Sequence, residues 1–268
     1  MSATTPVLEV RDISVAYGAG RKRSTAVADV GFTIERGRTL GLVGESGSGK
    51  TTIGMAVLGL IPLSAGEIRF QGESVHDLPR RRRRRLGKVR QVVFQDPYSS
   101  LNPLRTIGAS LVEPARFHGA TAAAARERAC ELMHTVGLDD SVLERYPAQF
   151  SGGQRQRIAI ARSLMTDPEF IVCDEPVSAL DLSVQADVMN LLTTLQRDLG
   201  LSLLFISHDL AIVRQISDDV VVLRAGAVVE AAPTEELFDA PREEYTRSLL
   251  NAVPRPRAAD TEIEREAR

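Results

Sequence analysis

The chain has 268 residues, of which 43% are hydrophobic and 25% charged, and its net charge is −2. That length builds one large α/β domain or two small ones around a well-buried core, and the near-neutral balance gives no global pull towards nucleic acid or an anionic membrane. No apolar run approaches the ~20 residues of a bilayer span, and residues 1–10 lack the basic start of a secretory signal, so the expectation is a chain in the cytosol that meets a membrane only through a partner.

In chain order, apolar residues alternate at Ile13, Val15 and Tyr17, then at Val30, Phe32 and Ile34. Both runs predict half-buried strands, with a basic, Gly-containing loop at 18–24 between them. Residues 39–43 are a short apolar run that enters a glycine-rich turn, and a helix is expected from about Lys50. From about residue 97 to 149 the character is helical; Ala125, Ala129, Leu132, Met133 and Val136 share one helical face. Strand signals return at 170–173 and 203–206, separated by an amphipathic helix marked by Val184, Val188, Leu191, Leu192, Leu195 and Leu199. This β-α-β order predicts a parallel sheet. Residues 220–223 and 227–230 flank Arg224-Ala225-Gly226 as a hairpin, and from Pro254 the chain is charged and aperiodic, the pattern of a frayed tail. Cys130 and Cys173, far apart in apolar surroundings, read as reduced thiols.

Gly44-Glu45-Ser46-Gly47-Ser48-Gly49-Lys50-Thr51 fits the phosphate-loop pattern G-x-x-x-x-G-K-[ST], followed by Thr52. Glycines let consecutive backbone N–H groups turn inward around an anion. The helix that starts near Lys50 points its positive end at the same place. Lys50 can reach β- and γ-phosphates, and Thr51 can put its hydroxyl on Mg²⁺. With only three lysines in the chain (Lys22, Lys50 and Lys88), a chance match is improbable. The motif implies nucleoside-triphosphate binding without specifying a family.

The apolar run 170–173 ends in Asp174-Glu175, and an acid at a strand's C-terminal end lies where open α/β sheets bind ligands. Asp174 can serve the Mg²⁺ shell and Glu175 can orient and deprotonate a water; a solvated strand end is the bland alternative. Ser151-Gly152-Gly153-Gln154 then opens a helical stretch. With it, the sequence resembles the ABC ATPase family, whose elements occur here in the family's order: phosphate loop, Gln95 after Val92-Val93-Phe94, the Ser-Gly-Gly-Gln signature, the Asp-Glu strand, the Asp loop Ser178-Ala179-Leu180-Asp181, and the switch His208 within Ile206-Ser207-His208-Asp209. The resemblance covers about residues 8–254. It implies a P-loop, RecA-like α/β core with an N-terminal antiparallel β subdomain and an inserted α-helical signature subdomain at about 97–160. The cassette spans 1–253, and a charged, disordered tail 254–268 follows it.

The resemblance also implies ATP and Mg²⁺ as cofactors, Glu175, His208, Gln95 and Lys50 as catalytic groups, and Thr51, Gln95 and Asp174 around the metal. Tyr17 matches the aromatic that stacks on adenine; a core aromatic is the alternative, and its place after the first strand favours stacking. His208 alone would be a packed histidine and Gln95 a surface amide. Ser151, Gly152, Gly153, Gln154 and Asp181 are implied to close over nucleotide held by a second subunit.

The segment 94–103, Phe-Gln-Asp-Pro-Tyr-Ser-Ser-Leu-Asn-Pro, resembles dipeptide and oligopeptide importer ATPases, as does the stretch 244–254. That branch carries His-Pro-Tyr before the threonine; here Glu243 and Glu244 precede Tyr245. Some relatives hold an iron–sulfur cluster on late cysteines, but no cysteine follows Cys173. The branch implies two membrane permeases, a second and non-identical ATPase, an extracytoplasmic binding protein, no nucleic acid, and a place on the cytoplasmic face of the membrane. Nickel or another solute remains an alternative cargo. A soluble non-transport ABC ATPase remains an alternative function, although the interval of about a hundred residues between phosphate loop and signature holds no sustained heptads. A regulatory subunit without activity would lack one of the motifs, and all are present. The arginine run 80–85 is expected to be a solvated helix face, because no aromatics are interleaved with it.

Overall fold

The computed structural model describes residues 5–18, 24–76, 78–96 and 100–252. Residues 97–99 of the importer-like segment, most of the loop at 18–24 and the tail expected from Pro254 lie outside the described residues.

Two sheets organise the molecule. The first is antiparallel, in the order β2-β1-β4-β5. It comprises β1 (Leu8–Tyr17), β2 (Ser24–Ile34), β4 (Ala65–Phe70) and the short β5 (Glu73–Ser74). Alternation sets its register. Leu8 faces Ile34 on one side and Phe70 on the other, and Val10 faces Phe32 and Ile68. The register of β1 against β2 shifts beyond Val10, next to Asp12 with its positive φ of 47°. Such an irregularity bends and twists a strand.

The second sheet has the order β10-β9-β3-β8-β7-β6. Here β3 (Thr39–Val43), β6 (Arg90–Val93), β7 (Phe170–Asp174), β8 (Ser202–Ser207) and β9 (Asp219–Arg224) run parallel, and β10 (Ala227–Pro233) returns antiparallel from the expected hairpin. Every residue of β3, β7 and β8 is buried. Strands covered on both faces favour apolar residues, which is why the interiors of these three read as apolar runs, with the polar residues Thr39, Asp174, Ser202 and Ser207 kept to the strand ends. The period of two then divides their side chains between two cores. Phe170, Val172, Leu204 and Ile206 pack with the antiparallel sheet, whereas Ile171, Cys173, Leu203 and Phe205 pack with the helices of the opposite face.

Helix α1 (Lys50–Val57) follows β3. The exposed α2 (Arg80–Val89) precedes β6. Between β6 and β7 lie α3 (Ile107–Phe117), α4 (Ala122–Thr135) and α5 (Gly152–Leu164), in mutual contact. Thr106 and Thr121 cap α3 and α4 by accepting from Ala109 N and Ala124 N, each cap contributing about 1 kcal/mol. The amphipathic α6 (Leu182–Leu199) links β7 to β8, and α7 (Leu210–Ile216) links β8 to β9. The chain closes with α8 (Thr234–Asp239) and α9 (Glu244–Ala252). Cys130 is half-buried and Cys173 buried, both free; burial pushes the Cys173 thiol up to about 12. Among the described residues no helix is long and apolar enough to cross a membrane.

One buried cation ties the two sheets together. Arg90, at the start of β6, donates from Nη1 to Val57 O at 2.7 Å and lies over the Phe70 ring at 5.6 Å. Val57 is the last residue of α1, so the guanidinium meets the negative end of that helix. Burial alone lowers its pKa to about 10, which leaves it charged at neutral pH.

Candidate nucleotide site

The parallel sheet concentrates its chemistry at one edge. Gly44, Gln95, Glu175 and His208 lie just beyond the C-terminal ends of β3, β6, β7 and β8 respectively. This is the crevice where open α/β sheets bind ligands. Ser46, Gly47, Lys50, Thr51, Gln95 and Glu175 line a single cleft there, of ≈ 280 Å³.

The phosphate loop takes its shape from close backbone approach. A Cβ on Gly44, whose φ is 150°, would lie 2.2 Å from Leu223 O and 2.8 Å from Ser48 Oγ, so only glycine lets the loop leave β3 against β9. Lys50 is buried, and its Nζ donates to Gly44 O at 2.7 Å and Glu45 O at 2.9 Å. An ammonium has three donors, so one remains for an anion. Burial lowers the Lys50 pKa, and the carboxylates of Glu175 and Asp174 partly offset that effect.

Thr51 Oγ1 donates to Asp174 Oδ1 at 3.1 Å. Burial raises the pKa of Asp174; the Thr51 bond pulls it back, and neighbouring Glu175 raises it further. Two adjacent acids so placed favour a cation. The donors at hand (the Thr51 hydroxyl, the Asp174 carboxylate and the Gln95 amide) are oxygen ligands of the kind Mg²⁺ takes. Among the described residues no group of three His, Cys, Asp or Glu could hold a metal. An ion on these few oxygen ligands would be completed by phosphate oxygens and water.

Glu175 is fixed more tightly than its neighbours. Its backbone is left-handed at φ 47°, its N–H donates to Ile206 O at 2.9 Å, and its carbonyl accepts from Ser178 N at 3.3 Å and Ser178 Oγ at 3.2 Å. A non-glycine residue at positive φ costs about 1–3 kcal/mol and persists where surrounding structure holds it, often at functional sites. Glu175 Oε2 lies 3.2 Å from His208 Nδ1. Tyr17 is 47% exposed, and its hydroxyl is 3.4 Å from Thr52 Oγ1, so an open ring stands beside the first turn of α1.

The signature residues and Asp181 are absent from the cleft lining, and their side chains serve local structure. Ser151 Oγ accepts from Gln154 N at 3.3 Å while Gln154 Oε1 accepts from Ser151 N at 3.1 Å, a reciprocal cap on α5. Asp181 caps α6 by accepting from Val184 N at 3.0 Å and Ser183 Oγ at 2.7 Å; these bonds hold its carboxyl below the usual range. Gly152 and Gly153 begin α5, whose first-turn N–H groups point off the helix end. A Cβ on Gly153 would lie 2.2 Å from Val184 Cγ1. Gly153→Val should therefore prise α5 from α6 and lower stability by about 1–3 kcal/mol, which denaturant titration would measure; an unchanged midpoint would contradict this packing.

One contact has no sequence signal. Tyr245 of α9 lies under the Arg224 guanidinium at 4.7 Å, and its hydroxyl reaches Glu45 of the phosphate loop without a hydrogen bond of standard geometry. The phenol pKa is raised, first by burial. Residues 200 positions apart thus come together beside the phosphate loop, and nothing in the sequence marks the contact.

A glycine loop feeding a helix from a central parallel strand, with an acid pair at the neighbouring strand end, defines a P-loop nucleotide-binding domain. The chain belongs to the ABC transporter family, whose model matches residues 27–178. A second model, the oligopeptide/dipeptide transporter C-terminal region, matches residues 229–268. A Brucella ovis protein assigned as a peptide import ATP-binding protein is 50% identical over 253 residues, covering 94% of this chain and 80% of its own. The oligopeptide transport ATP-binding protein OppF of Bacillus subtilis is 46% identical over 258 residues, covering 94% and 84%. Among solved structures, CbiO1 of Clostridium perfringens, part of an ABC transporter complex, superposes with a TM-score of 0.79 at 26% identity, covering 93% of this chain and 96% of its own. A dimeric ATP-binding cassette bound to ADP and phosphate after hydrolysis gives 0.76 at 28% identity, covering 85% and 98%. The fold is the one expected from the motifs.

Proposed function

We propose that this chain is the ATP-hydrolysing subunit of an ABC importer of short peptides, peripheral to the cytoplasmic face of the membrane. The observation that carries the enzymatic half is the single cleft joining Lys50, Thr51, Gln95 and Glu175. The peptide half is supported by the match over residues 229–268 and by the names of the relatives.

In this reading Tyr17 stacks on adenine, the loop N–H groups from Gly44 to Thr52 cradle the phosphates, and the remaining Lys50 donor binds a β/γ oxygen. Thr51, Asp174 and Gln95 would hold Mg²⁺. When bound, the ion neutralises charge building on the β- and γ-phosphate oxygens. Glu175 accepts a proton from the attacking water as its oxygen bonds to the γ-phosphorus, and the bond to the ADP oxygen breaks to give ADP and phosphate. His208 keeps the Glu175 carboxylate oriented and contacts the γ-phosphate. Ser151 to Gln154 and Asp181 act on the nucleotide of a second ATPase chain, using the free first-turn N–H groups of α5.

The partners in this reading are two permeases, a second and non-identical ATPase, and an extracytoplasmic binding protein, with no nucleic acid. Reconstitution with copurifying membrane subunits tests the cargo. ATPase activity should rise with binding protein loaded with di- or oligopeptides, and not with nickel chelates or sugars. Stimulation by nickel or sugar alone would remove the peptide assignment and leave the ATPase standing.

A further inference from the structure

The Tyr245 hydroxyl contributes nothing to holding the fold. Its oxygen is shut from solvent and has no hydrogen-bond partner of standard geometry among the described residues. A buried polar atom in that state lowers stability, and phenylalanine would fill the same space without it.

The ring itself has a fixed place. Helix α9 is anchored by Glu230 of β10, whose buried carboxylate accepts from Arg242 N at 2.8 Å and Glu243 N at 3.2 Å. Leu249 and Leu250 of α9 pack on the larger core. Across the ring, at 4.7 Å, lies the Arg224 guanidinium. Arg224 ends β9 and enters the turn that grips the phosphate loop, where Gly226 N donates to Ser48 O at 3.0 Å. So held, the hydroxyl meets Glu45. Burial is the first cause of its raised pKa; the Glu45 main chain opposes that rise and the Glu45 charge adds to it.

Glu45 is the one acidic residue from Gly44 to Thr52. Its neighbours Ser46 and Gly47 line the nucleotide cleft, and Glu45 does not. Its side chain is exposed, so nothing packed around it confines the carboxylate. Turned into the cleft, that carboxylate would repel bound phosphates across a short distance.

We propose that Tyr245 is a positioning residue for nucleotide binding: it holds Glu45 on the α9 side of the phosphate loop and so keeps that carboxylate clear of the phosphates. The inference rests on the reading of the cleft as an ATP site. In it, the hydroxyl donates to the Glu45 carboxylate when the loop closes on nucleotide, and the unsatisfied atom is the cost of having that donor in place beforehand. The C-terminal helix thereby sets ATP affinity without touching ATP.

The test is the full chain with Tyr245→Phe, Glu45→Gln and the two combined, titrated with ATP and Mg²⁺ by calorimetry. Tyr245→Phe should weaken ATP binding roughly two- to tenfold, the scale of one lost hydrogen bond. The loss should appear in KM and not in kcat, and the melting temperature without nucleotide should not fall. Glu45→Gln has no charge to hold back, so adding Tyr245→Phe to it should change ATP affinity by less than about twofold; the two substitutions are strongly non-additive. Equal affinity of Tyr245→Phe and the unaltered chain would overturn the proposal. So would a loss that persists in full beside Glu45→Gln, or one matched by a lower melting temperature, which would make the tyrosine a packing residue only. An unaltered chain that binds no ATP would remove the reading of the cleft itself, and this proposal with it.

Discussion

Replacing Glu175 with glutamine should lower ATP turnover by roughly two orders of magnitude or more, the scale of a lost general base, and leave ATP binding intact. The amide is the same size and can keep a contact to His208 Nδ1, now 3.2 Å from Glu175 Oε2. The strained backbone at φ 47° is held by Ile206 O and Ser178, which the substitution does not touch. What it removes is an atom that can take a proton from water. Binding should survive because the phosphate-facing donors belong to Lys50 and its loop. Phosphate release and nucleotide fluorescence, measured on the same preparation, separate the two quantities. Turnover equal to that of the unaltered chain would remove Glu175 from the chemistry.

Lys50→Ala should fail at the other step. One Lys50 donor is free for a phosphate, while the other two hold Gly44 O and Glu45 O. A charge-assisted hydrogen bond contributes about 1.5–3 kcal/mol, so ATP affinity should fall roughly ten- to a hundredfold. The loss should exceed the hydrogen bond alone if the loop relaxes once its two carbonyls lose their donor. ATP raises the melting temperature of any chain whose folded form binds it; that rise should shrink or vanish in the alanine variant. An unchanged nucleotide-dependent shift would contradict the placement of Lys50 in the site.

How much of this was legible beforehand depended on whether the signal was local. The strands β3, β7 and β8 are buried on both faces, so their interiors are apolar runs that announce a parallel sheet. By contrast β4, Ala-Gly-Glu-Ile-Arg-Phe, buries only Ile68 and Phe70 and gives too short an alternation to read. The phosphate loop is a motif because its glycines and lysine act within eight residues. The contacts that complete the site join distant positions: Thr51 with Asp174, His208 with Glu175, and Tyr245 with Glu45. The family's order of motifs assigns the members of the first two pairs to one site without pairing them, and nothing in the sequence points to the third. The reciprocal Ser151–Gln154 cap rests on a local Ser-x-x-Gln pattern, although in the sequence these residues stood out only as the family signature. The approach of Gly153 to Val184 was not, because it belongs to the packing of α5 on α6.

The central claim is that hydrolysis occurs in a site shared between two chains, with Lys50 on one wall and the α5 N-terminus of the partner on the other. The most direct measurement places one cysteine at Ser46 and another at Gly152 in the Glu175→Gln variant, adds ATP with Mg²⁺ and the partner ATPase or a second copy, and maps the disulfide by mass spectrometry. The result expected is an ATP-dependent cross-link from the phosphate loop of one chain to the signature of the other. A tight ATP complex in which only intrachain cross-links form would contradict it.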